Sequence, residues 1–75
     1  MYAFESKNSE FKELGILKKS IVIFDVEERY ISNDIVAIIE NKENYTRIGI
    51  RRYKRGDSTE NILGKIVGVY TNITY

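Results

Sequence analysis

The sequence predicts a mostly β domain: a small folded-over antiparallel sheet or partly open barrel with at most one short helical turn. Three observations carry this. Short β-branched apolar runs recur through residues 21–70, clusters of turn-forming residues separate them, and no segment keeps a 3.6-residue apolar period. The reading calls for five or six short strands, largely antiparallel, in a single domain spanning 1–75.

Each element has its own signature. Tyr2-Ala3-Phe4 reads as an edge strand. Ser9 to Leu14 holds one or two helical turns, ended by Gly15. Ile21-Val22-Ile23-Phe24 is an unbroken apolar run, which predicts a strand buried on both faces. Asp34 to Glu40 is a second such strand, bracketed by charges. Asn41-Lys42-Glu43-Asn44 is polar and reads as a turn. Tyr45 to Tyr53 returns from it, making a hairpin from about Ile35 to Tyr53. A second turn cluster runs from Arg55 to Thr59. The last strand runs from Ile62 to Tyr70. Its Gly64 and Gly68 sit four apart, which in an even strand puts them on the same face, where they permit a bend or close packing.

Composition excludes several functions. A chain of 75 residues buries a modest core. It has no cysteine and no histidine, so disulfides, thiolate metal sites, thiol nucleophiles and histidine bases are all absent from its chemistry. No glycine-rich phosphate loop occurs, and no carboxylate cluster has metal-loop spacing; no cofactor or metal is expected. The hydrophobic fraction of 43% and charged fraction of 31% are those of a folded domain. Twelve basic against eleven acidic residues give +1, so net charge argues for neither nucleic acid nor membrane. No run reaches the ~18 apolar residues of a membrane span. The first residues lack a basic-then-apolar targeting signal, which leads to the expectation of a cytoplasmic protein.

Charge is nevertheless uneven. Residues 25–43 carry six carboxylates against Arg29 and Lys42, whereas residues 44–56 carry Arg47, Arg51, Arg52, Lys54 and Arg55 with no acidic residue among them. The plain reading is solvated charge that partly pairs across the hairpin; the sharper one is a bipolar surface that docks a partner. The strip Arg51-Arg52-Tyr53-Lys54-Arg55 also has the interleaving of cations and an aromatic ring that holds phosphates and stacks a base. Most of the six tyrosines and three phenylalanines belong to packing. Tyr70, Ile73 and Tyr75 are set apart, because a terminal apolar-aromatic strand is suited to pairing with a second copy.

One nucleophilic chemistry needs neither histidine nor metal: a serine activated by a lysine kept neutral through burial. Here an ordered series of blocks is informative: Tyr2-Ala3-Phe4, Lys7-Asn8-Ser9-Glu10-Phe11, Gly15-Ile16, Lys19 to Asp25, Asn33-Asp34-Ile35-Val36-Ala37, Ile50-Arg51-Arg52-Tyr53, and Ile62-Leu63-Gly64-Lys65-Ile66-Val67-Gly68-Val69. In this order the chain resembles the C-terminal domain of LexA-type repressors and their UmuD and phage-repressor relatives, the serine–lysine self-cleaving family, with its signal-peptidase-like fold. The last block is the best match, and the resemblance runs over almost the whole chain.

The departures fall on the chemistry. Counting back from Gly15, Glu10 stands at the nucleophile position, and Ser9 is one residue early. Arg51 stands at the lysine position, and a guanidinium does not deprotonate to serve as a base. Lys19-Ser20 replaces the family's Gly-Asp turn, and a hairpin between the lysine strand and the closing strand looks deleted. The resemblance therefore implies a degenerate, shortened domain, catalytically dead, without a helix-turn-helix, and working in repressor dimerisation or in modulating a bacterial or phage repressor. It implies a homodimer, or a heterodimer with a repressor-type protein, contacted through the closing region. The paired replacement predicts a Glu10–Arg51 salt bridge in the former cleft. A small β-barrel nucleic-acid binder using Arg51–Arg55 is the alternative, and an enzyme using Ser9 with a lysine such as Lys54 is a third reading.

Overall fold

A computed structural model describes residues 1–71. It contains five strands: β1 (Tyr2–Glu5), β2 (Ile21–Asp25), β3 (Ile35–Asn41), β4 (Thr46–Arg52) and β5 (Ile62–Tyr70). They form one antiparallel sheet in the order β1-β2-β5-β3-β4, curled into a half-barrel. The mostly β expectation holds. The expected helical turn is a single 3₁₀ turn, Lys12–Leu14, and Gly15 ends it at φ 81° with its N–H donating to Lys12 O.

Register assigns the faces. Val22 lies opposite Phe4 and Val69, and Phe24 lies opposite Tyr2 and Ile66. Tyr2 stacks on Phe24 at 5.7 Å between centroids, and Phe4 tilts against it at 5.9 Å. Val22 and Phe24, with Ala37 and Ile16, form the inner core; Val22 and Ala37 are wholly buried, while Tyr2 and Val69 stay exposed at its margin. Burying one such Val or Phe side chain contributes about 1.5–3 kcal/mol. The run at 21–24 is thus buried on one face only. Ile21 and Ile23 point outward, opposite Tyr70 and Gly68, with Ile21 exposed and Ile23 half-buried. Val36 is the exception on the outer face: it lies between Arg51 and Lys65 and is fully buried.

The curl originates in β5. Its pairing with β2 skips Val67, and its pairing with β3 skips Leu63, so each side of the central strand carries a β-bulge beside a glycine. The extra residue at Val67 also reverses the alternation. Gly64 therefore shares the inner row with Ala37, while Gly68 shares the outer row with Ile23, and the two glycines occupy opposite faces rather than one. The bare Cα of Gly64 lets the backbone leaving β2, at Asp25 and Val26, cross directly over it.

The hairpin is shifted by one residue from its expected turn. Lys42 N–H donates to Tyr45 O at 2.7 Å, so the loop is 42–45 and Glu40 faces Arg47. A turn at 41–44 would have set Glu40 opposite Tyr45.

Candidate functional site

The two edges of the half-barrel, β1 and β4, approach each other without pairing. The gap between them is a shallow pocket. Phe4, Ser6 and Glu10 line one side; Glu40, Arg47 and Gly49 line the other. Glu10, which the resemblance sets at the nucleophile position, lines this pocket.

The ion pair in this pocket is not the expected one. Arg47 Nη2 donates to Glu40 Oε2 at 3.1 Å, Nε reaches the same oxygen at 3.4 Å, and Lys42 Nζ lies 3.5 Å from it. The hydrogen bond to Glu40, then that carboxylate's charge, raises the Arg47 guanidinium above its ordinary value, with a lesser contribution from the charge of Glu10. Glu10 itself is exposed at the pocket rim, and the Asn8 side chain accepts its backbone N–H at 3.0 Å.

Glu10 and Arg51 make no ion pair. Arg51 lies opposite Val36, four residues along β4 from Arg47. At the rise of a strand that is about 13 Å away. Arg51 Nη2 donates instead to Ser58 O at 3.2 Å, and its Nε is buried without a partner among the described residues. The cross-strand pair Glu40–Arg47 was the site feature that sequence reading missed. A turn placed at 42–45 would have revealed it.

The serine hydroxyls are engaged in holding backbone. Ser9 Oγ accepts Lys18 N–H at 3.1 Å. Ser6 Oγ donates to Asn8 O, and Ser20 Oγ accepts Leu17 N–H at 2.8 Å. Lys54 belongs to the loop after β4 and does not line the pocket that Glu10 borders. Among the described residues, no group of three or more carboxylates is placed to hold a metal ion, and no helix is long and apolar enough to cross a membrane.

The basic strip does not form one surface. Arg51 and Arg52 alternate to opposite faces of β4. Arg52 Nη1 donates to Asn33 O at 2.9 Å. Tyr53 packs edge-on against Tyr30, with centroids 4.9 Å apart, so its ring is engaged within the chain. Lys54 and Arg55 remain exposed in the loop.

Tyr70 is 61% exposed and lies directly opposite Ile21, itself 37% exposed. Thr71 ties the segment 15–20 to this end of β5 through Gly15 O and Ser20 Oγ, which brings exposed Leu14 and Leu17 to the same end. Ile73 and Tyr75, the other two proposed contact residues, lie outside the described residues. Comparison with known proteins finds no matching family, no matching curated protein and no matching solved structure.

Proposed function

We propose that this chain is a non-catalytic association module of the LexA-like type, a folded-over β domain that binds a second copy or a repressor-type partner. The observation that carries the reading is the row of exposed apolar side chains where β2 begins and β5 ends, with Tyr70 beside Ile21 and with Leu14 and Leu17 at the same end. Exposed apolar groups gathered at one place mark contact surfaces in small soluble domains. Tyrosine suits such a role, since it offers a large rigid contact area at low entropic cost. The Glu40 carboxylate is held by Arg47 and Lys42, and a guanidinium does not accept a proton from serine, which further favours contact over cleavage.

Sedimentation across protein concentration tests this. The parent chain associates, and Tyr70→Glu weakens that association at least about tenfold, the effect of removing a central aromatic contact. A parent that stays monomeric at high concentration, with no affinity for a repressor-type partner, removes the proposal.

A further inference from the structure

The end of the sheet that carries Tyr70 also carries charge. Lys12, Lys18 and Lys19 are exposed in the segment that leads into β2, interleaved along the chain with the exposed Leu14, Leu17 and Ile21. Ser9 gathers two of them: its carbonyl oxygen accepts Lys12 N–H at 3.2 Å, and its hydroxyl accepts Lys18 N–H at 3.1 Å. Lys19 N–H donates to Ser6 O at 2.8 Å. Thr71, next to Tyr70, fastens the same segment to the end of β5 through Gly15 O and Ser20 Oγ.

None of the three lysines makes an ion pair among the described residues, whereas Lys7 is held by Glu5 at 3.4 Å. Over residues 12–21 they stand against the single carboxylate of Glu13. Glu10, the next acid towards the N-terminus, borders the pocket between β1 and β4. Lys19 adds a second observation. Its backbone is left-handed at φ 73°, a conformation that glycine adopts without strain. A lysine held in such a turn is a candidate for function, because glycine serves the fold alone better.

We infer that this end takes an acidic segment of another protein, with apolar side chains set among its carboxylates, in preference to a second copy of the chain. The inference rests on the association reading above and names the chemistry of the partner. A second copy docked through the same end sets lysines against lysines around the Tyr70 contact, and like charges oppose it. An acidic segment meets the lysines with carboxylates while its apolar side chains cover Leu14, Leu17, Ile21 and Tyr70. A nucleic acid answers the charge alone and leaves those four side chains in water. The backbone that presents the lysines is already fixed by Ser6, Ser9 and Thr71, so little ordering opposes binding. The two occupants respond oppositely to salt: screening weakens the acidic partner and relieves the repulsion between copies.

The probe is a labelled synthetic peptide in which leucine and tyrosine alternate with glutamate. It is titrated with the full chain by fluorescence anisotropy at about 50 mM and about 500 mM NaCl, on either side of strong screening. Binding that weakens at least about tenfold at the higher salt is the expected result, while self-association in sedimentation strengthens over the same change. Lys18→Glu with Lys19→Glu loses the acidic peptide and gains the counterpart in which lysine replaces glutamate; that gain also shows the variant folded. Lys18→Glu alone weakens binding, and Arg29→Glu, the same change of charge in the loop after β2, leaves it unchanged. Three results would each overturn the inference: no binding of the acidic peptide at either salt, equal loss in Lys18→Glu and Arg29→Glu, or displacement of the peptide by phosphatidylglycerol vesicles or an oligonucleotide more readily than by unlabelled peptide. Failure of the association reading registers separately, because Tyr70→Glu then leaves both self-association and peptide binding unchanged. Failure of this inference alone keeps the Tyr70→Glu loss and removes the dependence on Lys18 and Lys19.

Discussion

The carboxylate of Glu40 lies over the bare Cα of Gly49, its diagonal neighbour on β4, and from there reaches Arg47. A methyl group at position 49 would occupy the space of the Glu40 carboxyl oxygen. That oxygen is the far end of a flexible side chain, so it swings aside and leaves the pair instead of forcing the backbone apart. Gly49→Ala is therefore expected to change stability by less than about 1 kcal/mol. A double-mutant cycle of Glu40→Gln and Arg47→Gln checks it: the two positions couple in the parent and cease to couple when alanine stands at 49.

The same pair fixes a pH dependence. Glu40 raises the Arg47 value in the folded chain, so the contribution is complete below arginine's unfolded value and is lost only as pH climbs past the folded one. Both lie beyond the working alkaline range, and Arg47 adds no slope between neutral pH and pH ~10. Arg47→Lys substitutes a group that titrates near ~10.4 when unperturbed. The stability gap between parent and variant widens as pH passes from about 9 to about 11. Urea denaturation of both proteins at each pH measures it. A gap that stays constant or narrows contradicts the assignment.

The two glycines of β5 separate by what lies above them. At Gly64 an added methyl meets backbone, Asp25 O and Val26 Cα, which cannot move without breaking the β2–β5 ladder. At Gly68 the nearest atoms belong to the Ile23 side chain at ordinary contact distance, 3.8 Å. Gly64→Ala is expected to cost about 2–3 kcal/mol, and Gly68→Ala less than about 0.5 kcal/mol or to stabilise. Equal effects in thermal denaturation would mean that the bulge at Val67 does not invert the strand.

Much of this architecture was legible in the residues. The β-branched runs located four of the five strands to within about two residues, because apolar alternation and turn chemistry are local properties. What was not legible depended on single-residue offsets. Placing the hairpin loop at 41–44 instead of 42–45 exchanged the partner of Glu40, and the bulges in β5 decided which faces its glycines take. A bulge carries no composition of its own, since Leu63 and Val67 are ordinary strand residues. The pairing of Glu10 with Arg51 failed for a similar reason: alignment to a family supplies order along the chain, while the β3–β4 register supplies distance.

Lys19 adopts a left-handed backbone at φ 73°, at the turn where the family resemblance leads one to expect glycine. For a residue with a Cβ that conformation costs roughly 1–2 kcal/mol. Glycine removes the cost but loses about 0.5–1 kcal/mol of unfolded-chain entropy. Lys19→Gly is expected to stabilise the chain by up to about 1 kcal/mol, with Lys19→Ala neutral or worse. A higher midpoint for alanine than for glycine would contradict the strained turn.

The hydroxyl of Ser20 joins the end of β5 to the loop that precedes β2. Thr71 Oγ1 donates its hydrogen to Gly15 O at 2.9 Å, so across the 2.6 Å contact Ser20 Oγ is the donor, while it accepts Leu17 N–H at 2.8 Å. Ser20 is 1% exposed and has no water to fall back on. Ser20→Ala leaves the Leu17 N–H and one lone pair of Thr71 without partners in a closed site, at a cost of about 1–3 kcal/mol. Thr71→Ala removes the Gly15 bond at a more open position and is expected to cost about 1 kcal/mol. Because both act on one network, the double variant costs less than the two separately. Amide exchange at Leu17 locates the effect: it quickens in Ser20→Ala at denaturant concentrations where β3 and β4 remain protected. Were the whole sheet to lose protection together, the network would be part of the global core and not a local clasp on the end that carries Tyr70.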